Sequence, residues 1–400
     1  MTLSNSIKTI AAEIAKYRQA MHENPQTAYE ETFASDLVCE KLAEWGIAFE
    51  RGIAKTGVVA TIEGQKNTGG RAIGLRADMD ALNVIEEPHP EKPHISKTPG
   101  KMHACGHDGH TAMLLGAAKY LSETRNFDGK VHLIFQPAEE GHKGAHMMIE
   151  EGLFRRFPCD QVFGVHNWPQ LPKGTVAMRP GPLMASADVF YITVKGKGGH
   201  AAMPHKTIDP IVIGAQIVTA LQTLVSRTAH PAEPVVLSIP YFSGGTGAHN
   251  VIPDEVKMTG TLRTYDDALR RDFAERIGTT ARGIAQAMGA ELDYEFKFIL
   301  DPTINDLGAT NFCAEVAGEI FGPHNVDVDV TPSMGGEDFG AMLLERPGCY
   351  IWMGQGEPDN PDSPHNAGLH TPRYDFNDGI IPLGIEYWAR LVESALPLRK

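Results

Sequence analysis

The apolar periodicity of this chain changes regime once, and that change limits the folds open to it. Up to His166, amphipathic helices alternate with short β-branched runs. Ile7, Ile10, Ile14, Tyr17 and Met21 recur at three- and four-residue steps, which predicts a helix stopping near Asn24-Pro25; a second helix is expected from about Phe33 to Trp45. TGVVATIEG (56–64) and RAIGLRAD (71–78) read as strands, TAMLLGAAKYL (111–121) as helix, VHLIFQ (131–136) as strand, GAHMMIEEGLF (144–154) as helix and QVFGVH (161–166) as strand. Such alternation predicts a mostly parallel sheet flanked by helices on both faces. A Pro- and Gly-rich stretch, Pro172 to Pro182, ends the regime.

Beyond it the order is different. A strand (188–196), a helix within 207–226, an antiparallel pair (235–245 and 255–265), a helix (268–289) and a strand (291–299) make a β-α-β-β-α-β unit, the ferredoxin-like arrangement. CYIWMG (349–354) and a last helix near Pro382 to Leu396 then return to the first pattern. The expected architecture is therefore an α/β domain in two parts, 1–184 and 301–400, interrupted by an α+β domain at 185–300. A length of 400 residues is what two such domains need.

Composition narrows the partners. Apolar residues at 42% and charged residues at 22% describe a globular chain rather than a disordered one. Lys plus Arg number 36 against 50 Asp plus Glu, a formal charge of −14, with no basic run longer than two residues, so nucleic acid and membrane surfaces are not expected as partners. Lys8, Glu13 and Lys16 interrupt the apolar core that a signal peptide needs, which makes the expected location cytoplasmic. Five scattered cysteines without a CxxC pair argue against a disulfide framework.

The seventeen histidines are unevenly spread, with nine of them between His103 and His205. In MHACGHDGHTA, Cys105, His107 and His110 are spaced so that two or three reach one point from a loop leading into a helix, and thiolate with imidazole suits zinc or a similar divalent ion. PAEEG places Glu139 and Glu140 just after a strand. Adjacent side chains point apart, so one can hold a metal while the other works as a base. Asp78 and Asp80 follow the strand 71–77, and His166 is expected to close another. Acid, thiol and imidazole thus gather at four strand ends or strand–helix junctions, where open α/β sheets keep their ligand sites. His370 lies in the loop of LHTPRYDFND. In the inserted domain His200 follows a strand in GKGGHAAMPH, and HNVIPDEVKMTGTLRT carries Asn250 and Arg263, an amide and a planar guanidinium suited to a carboxylate. His142, His205 and His249 read as surface residues.

Together these motifs resemble the M20 metallopeptidase family, in its aminoacylase and hippurate-hydrolase branch of amidohydrolases, which includes plant auxin-conjugate hydrolases. The resemblance spans MHENPQTAYEE, GLRADMDALNV, KMHACGHDGHTAMLLGAA, FQPAEEGHKGAH, GVHNWP, GKGGHAAMPH, HNVIPDEVKMTGTLRT, MGGEDFG and LHTPRYDFND, almost the whole chain. It implies a zinc-peptidase-like catalytic domain binding two divalent ions (Zn, Mn, Co or Ni), interrupted by a lid domain that dimerises. By the same resemblance Cys105, His107, Glu140, His166 and His370 correspond to metal ligands, Glu139 to the general base and Asp80 to an acid that orients a ligand. His200 resembles a lid histidine that reaches the partner subunit's site, and Asn250 and Arg263 match contacts to the substrate carboxylate. The implied reaction is hydrolysis of N-acetyl or N-benzoyl amino acids at a linear amide by a metal-activated water. The alternatives are a metallo-dipeptidase or carboxypeptidase, and a non-catalytic metal- or peptide-binding homologue. Two departures stand out. Asp78 and His107 replace the His and bridging Asp of the wider family, and EEGHKGAH replaces a Gly-rich stretch, which puts His142 and Lys143 next to the paired acids.

Overall fold

The structure, a computed structural model, describes residues 4–92 and 94–398. The chain divides into two compact units: Met1–Leu183, Ile304–Thr331 and Asp338–Lys400 form the first, and Met184–Thr303 with Pro332–Glu337 the second.

The first unit is built on an eight-stranded sheet in the order Ala48–Ile53, Gly57–Glu63, Lys130–Gln136, Ala72–Asp78, Gln161–Pro172, Gly348–Gly356, Val176–Ala177, Val326–Asp327. The four strands from Lys130–Gln136 to Gly348–Gly356 run parallel, and the two before them antiparallel. Parallel strands are covered on both faces, which is why Ala72–Asp78 and Gly348–Gly356 are buried along their entire length. The helix His107–Thr124 starts at His107 rather than near Thr111 and is buried on almost every side, packed against Asn5–Glu23 and Ile381–Ala395. A Cβ at Gly116 would lie 2.3 Å from Ile385 Cδ1, so glycine is what lets the first and last of these three approach.

Three elements differ from the sequence reading. The edge strand Ala48–Ile53 went unpredicted because only Ile53 in it is buried, leaving no apolar alternation to read. The strand holding His166 does not close there but runs on to Pro172. The helix expected over 144–154 is two pieces, Gly144–Glu150 and Leu153–Arg156, broken where Gly152 takes φ 91°.

The second unit holds four antiparallel strands in the order Val235–Gly244, Glu255–Thr264, Ala187–Lys195, Glu291–Leu300, with helices Pro210–Thr223 and Asp267–Ala287 packed on them. Numbered along the chain that order is 2-3-1-4, the ferredoxin-like topology. Its core includes Phe190, Ile192, Ile213, Ile217, Val256, Leu262, Phe273 and Ile277. The segment Pro210–Thr228 is long and apolar enough to cross a membrane, yet its Ile213, Ile217 and Leu221 are buried in that core.

Candidate metal centre

Residues of the first unit converge at the carboxyl ends of its parallel strands. The buried strand Ala72–Asp78 ends in Asp78, whose Oδ2 accepts from Arg76 Nη1 (2.7 Å) and whose Oδ1 is 2.6 Å from His110 Nδ1. Burial would raise the Asp78 carboxyl, but Arg76 and the histidines His107 and His110 hold it well below the usual carboxylate range. Asp80, two residues on, serves two groups at once: Oδ1 accepts from His107 Nδ1 (3.2 Å) and Oδ2 from the backbone N–H of Glu140 (3.0 Å).

Between Cys105 and His107 stands Gly106 at φ 97°, where a Cβ would lie 2.2 Å from Asn167 Oδ1 and 2.5 Å from the Tyr374 hydroxyl. Only glycine lets the loop turn that sharply against those side chains. Cys105 Sγ is then 3.4 Å from His166 Nε2, and His166 donates its Nδ1–H to the Asn167 carbonyl (2.6 Å), which leaves Nε2 as a lone pair facing the thiol. Burial, with His110 beside it, keeps His166 well below the ordinary histidine value and so neutral. Burial also pushes the Cys105 thiol up, and Glu140 adds to this.

His370 arrives from the far end of the chain. Its backbone N–H is held by the Ala104 carbonyl (2.7 Å), and its Nε2 lies 3.2 Å from Glu140 Oε1. Hydrogen bonding to Cys105 and Glu140 pushes it up to about 10. Glu139 is buried, with Oε1 accepting the backbone N–H of Asp338 (3.3 Å). Non-helical dihedrals at Glu140 (φ −65°, ψ 69°) turn the chain immediately after Glu139.

The donor atoms of Cys105, His107 and His166 lie within 4.8 Å of one another, as do those of Cys105, Glu140 and His370, and of His107, Glu139 and Glu140. Whether these residues fit metal is decided by His107. Its Nδ1 is paired with Asp80, and its buried Nε2 makes no hydrogen bond among the described residues although Asp78 Oδ2 is 3.5 Å and Glu140 Oε1 4.0 Å away. Nitrogen, sulfur and carboxylate oxygen ligand atoms crowded this closely, with the buried His107 Nε2 left without a hydrogen bond among the described residues, fit a divalent cation of borderline softness. All five expected ligands are thus brought together. His110 is not among them, because Asp78 holds its Nδ1 and the Asn167 N–H its Nε2 (3.0 Å).

Several residues that shape the centre were not singled out from sequence. Asn167 donates to the Tyr374 hydroxyl (2.7 Å) and Gln355 (3.0 Å), and Asp338 takes Gln136 Nε2 (2.7 Å), Arg76 Nη2 (3.0 Å) and the Ala145 N–H (2.8 Å). Arg76, two residues before Asp78 in the buried run AIGLRAD, was the one legible sign of this network.

The second unit places His200 and Asn250 side by side. Gly199–His200 pairs antiparallel with Val251–Ile252, and the Asn250 carbonyl accepts the Ala201 N–H (3.0 Å). His200 Nδ1 accepts the Ala202 N–H (3.0 Å), so its proton resides on Nε2. Arg263, on the strand Glu255–Thr264, is half-buried and makes no ion pair among the described residues; burial lowers its pKa. His142 is exposed, and its carbonyl accepts the Tyr29 hydroxyl (2.8 Å).

The chain is similar over most of its length to known proteins. Residues 74–394 match the peptidase family M20/M25/M40. Over 391 residues the chain is 39% identical to hippurate hydrolase of Campylobacter jejuni, covering 98% of both. It is 43% identical over 301 residues to N-acyl-L-amino acid amidohydrolase of Geobacillus stearothermophilus, covering 75% of this chain and 80% of that one. A solved structure from Bacillus subtilis, a dinuclear metal binding peptidase from the M20 family, matches with a TM-score of 0.82 at 34% identity, covering 97% and 99%. A mostly parallel α/β sheet with this donor set at its strand ends defines a metal-dependent hydrolase of amide bonds. The chain belongs to the M20 peptidase family.

Proposed function

We propose that the chain cleaves N-acyl amino acids, of the N-acetyl or N-benzoyl type, to a carboxylic acid and a free amino acid. Cys105, His107, Glu140, His166 and His370 would hold two divalent ions drawn from zinc, manganese, cobalt and nickel. The observation that carries the reading is the paired acid: Glu140 sits among the other donors while Glu139, buried beside it, projects from the same bend as a base. The hippurate hydrolase and N-acyl-L-amino acid amidohydrolase named above support the substrate class.

Bound there, divalent ions supply Lewis acidity and lower the pKa of a water toward 7. Glu139 takes a proton from the attacking water and returns it to the leaving amine, so no covalent intermediate is needed. His200, protonated on Nε2, is suited to donate to the developing oxyanion. Arg263, partly desolvated and without an ion pair among the described residues, is suited to the substrate carboxylate, and Asn250 beside His200 adds an amide contact. We propose also that two copies associate through the second unit, where Ile211 and Val212 on one helix and Val236, Tyr241 and Phe242 on the outer strand are exposed; light scattering would detect the dimer.

The test is a panel of N-acetyl, N-benzoyl and dipeptide substrates with added Mn²⁺, Zn²⁺, Co²⁺ or Ni²⁺, alongside metal analysis. Fastest turnover of N-acyl amino acids is expected. Preference for dipeptides would make the chain a peptidase, and two bound ions without turnover would make it a binding protein.

A further inference from the structure

Glu31 precedes the helix Thr32–Glu44, where a short acidic side chain would turn back to cap the helix, yet it makes no capping bond. Its fully buried carboxylate is used elsewhere. Oε1 accepts the backbone N–H groups of Tyr29 and Ala138, both at 2.9 Å, and Oε2 accepts the Thr56 hydroxyl (2.6 Å). Ala138 is the residue before Glu139, and it lies buried in the left-handed region (φ 57°, ψ 43°) that residues with a Cβ rarely adopt. Such a conformation persists only where the surroundings impose it. Two bonds do so: Glu31 takes the Ala138 N–H, and the Ala138 carbonyl accepts the Gly144 N–H (3.0 Å). From this bend depart Glu139, met by the Asp338 N–H, and Glu140, whose own N–H is met by Asp80.

We propose that Glu31 is a positioning residue which, by holding the amide of Ala138, fixes the bend that directs Glu139 and Glu140. The inference rests on the roles proposed above for those two acids. What the geometry requires at Glu31 is an acceptor at the Oε1 position, not a charge. Glutamine keeps that acceptor and turns its NH₂ toward Thr56, whose hydroxyl can rotate to accept. Aspartate keeps the charge but, one methylene shorter, withdraws the acceptor.

Four variants test this by calorimetric Mn²⁺ titration and by turnover: Glu31→Gln, Glu31→Asp, Glu31→Ala, and Glu31→Ala combined with Ala138→Gly. Glu31→Gln should stay near wild type in both readouts. Glu31→Asp and Glu31→Ala should weaken Mn²⁺ binding about tenfold and lower kcat about a hundredfold with KM little changed. Ala138→Gly should restore part of both losses in the Glu31→Ala background, because glycine adopts the bend unaided. A wild-type-like Glu31→Asp, a Glu31→Gln as damaged as Glu31→Ala, or no recovery with Ala138→Gly would overturn the proposal. Should circular dichroism show Glu31→Ala unfolded, the contrast between Gln and Asp decides. Should the wild type cleave no substrate of the panel, the functional reading falls while the Mn²⁺ titration still judges Glu31.

Discussion

Replacing Arg18 by methionine should destabilise the first unit by about 4 kcal/mol, most of it as charge left without a partner. Arg18 is buried in the helix Asn5–Glu23 and donates Nη1 to Asp375 (3.1 Å) and, at longer range, Asp108 (3.5 Å), and Nε to Asp378 (2.7 Å). Methionine fills most of the volume and supplies none of the bonds. Hydrogen bonds to charged groups contribute about 1.5–3 kcal/mol each, and removing one partner from a buried pair costs about 3–5 kcal/mol. The lower end applies where other partners remain: His22 Nδ1 stays 2.9 Å from Asp108, His94 Nε2 stays 3.2 Å from Asp375, and Asp378 is exposed enough to be hydrated. The pH dependence has a definite sign. Burial would raise the Asp375 carboxyl, but Arg18 holds it well below its usual value, so the wild type keeps that charge satisfied down to strongly acidic pH. In the variant the orphaned carboxylates titrate higher, and protonation relieves them. The stability gap should therefore be widest near neutrality and narrow as pH falls. All four tryptophans, Trp45, Trp168, Trp352 and Trp388, lie in the first unit, so urea unfolding followed by tryptophan fluorescence reports that unit alone. Adding Asp375→Asn should recover about 1–2 kcal/mol. A loss under about 1 kcal/mol, or a gap that does not change with pH, would refute the reasoning.

Glu139→Gln should keep the metal content and fold while turnover drops about 10²- to 10⁴-fold; concurrent loss of an ion would make Glu139 a ligand instead. Cys105→Ser should lower metal affinity, and a serine variant that binds as tightly as wild type would leave the thiol a packing residue. Arg263→Ala should raise KM about 10- to 100-fold for substrates with a free carboxylate and leave their amide-capped analogues unaffected, so a uniform change across both sets removes the clamp. Burial drives His132, held between Thr61 Oγ1 (2.9 Å) and the Pro158 carbonyl (3.2 Å), down to about 4. Its folded value is below the unfolded one, so stability is full above about pH 6.5 and falls by up to about 3 kcal/mol as pH drops toward 4. His132→Gln should flatten that part of the stability curve, and an unchanged slope would place the titration elsewhere.

Much of the fold was legible because burial imposes period. The parallel strands Ala72–Asp78, Lys130–Gln136 and Gly348–Gly356 read as apolar runs, and the switch after Pro182 marked the inserted unit. The candidate donors Cys105, His107, Glu140 and His166 were legible as chemistry gathered at strand ends, whereas His370 joined them only through the resemblance. What remained hidden were long-range pairings of polar groups. Glu31 meets Ala138 across 107 positions and Asp338 meets Glu139 across 199, and neither acid differs in local pattern from a surface residue. His110 shows the opposite limit. Its spacing from His107 matched a ligand's, but the side chain belongs to Asp78 and Asn167, a choice made by which strands are neighbours.

The strand Gly348–Gly356 has an implication for how the protein is made. It lies in the middle of the large sheet, between Gln161–Pro172 and Val176–Ala177, although these two are almost continuous in sequence and residues 178–347 intervene before it is synthesised. While the chain leaves the ribosome, the backbone groups along Gln161–Pro172 have no partner on that side, and an unpaired edge is a template for pairing with another chain. His370 follows later still, so the donor set is incomplete until the sheet has closed. Synthesis of the chain through His370, rather than completion of the segment up to Val176–Ala177, sets the moment at which the nascent protein is safe from pairing along that edge and has its candidate donor set complete.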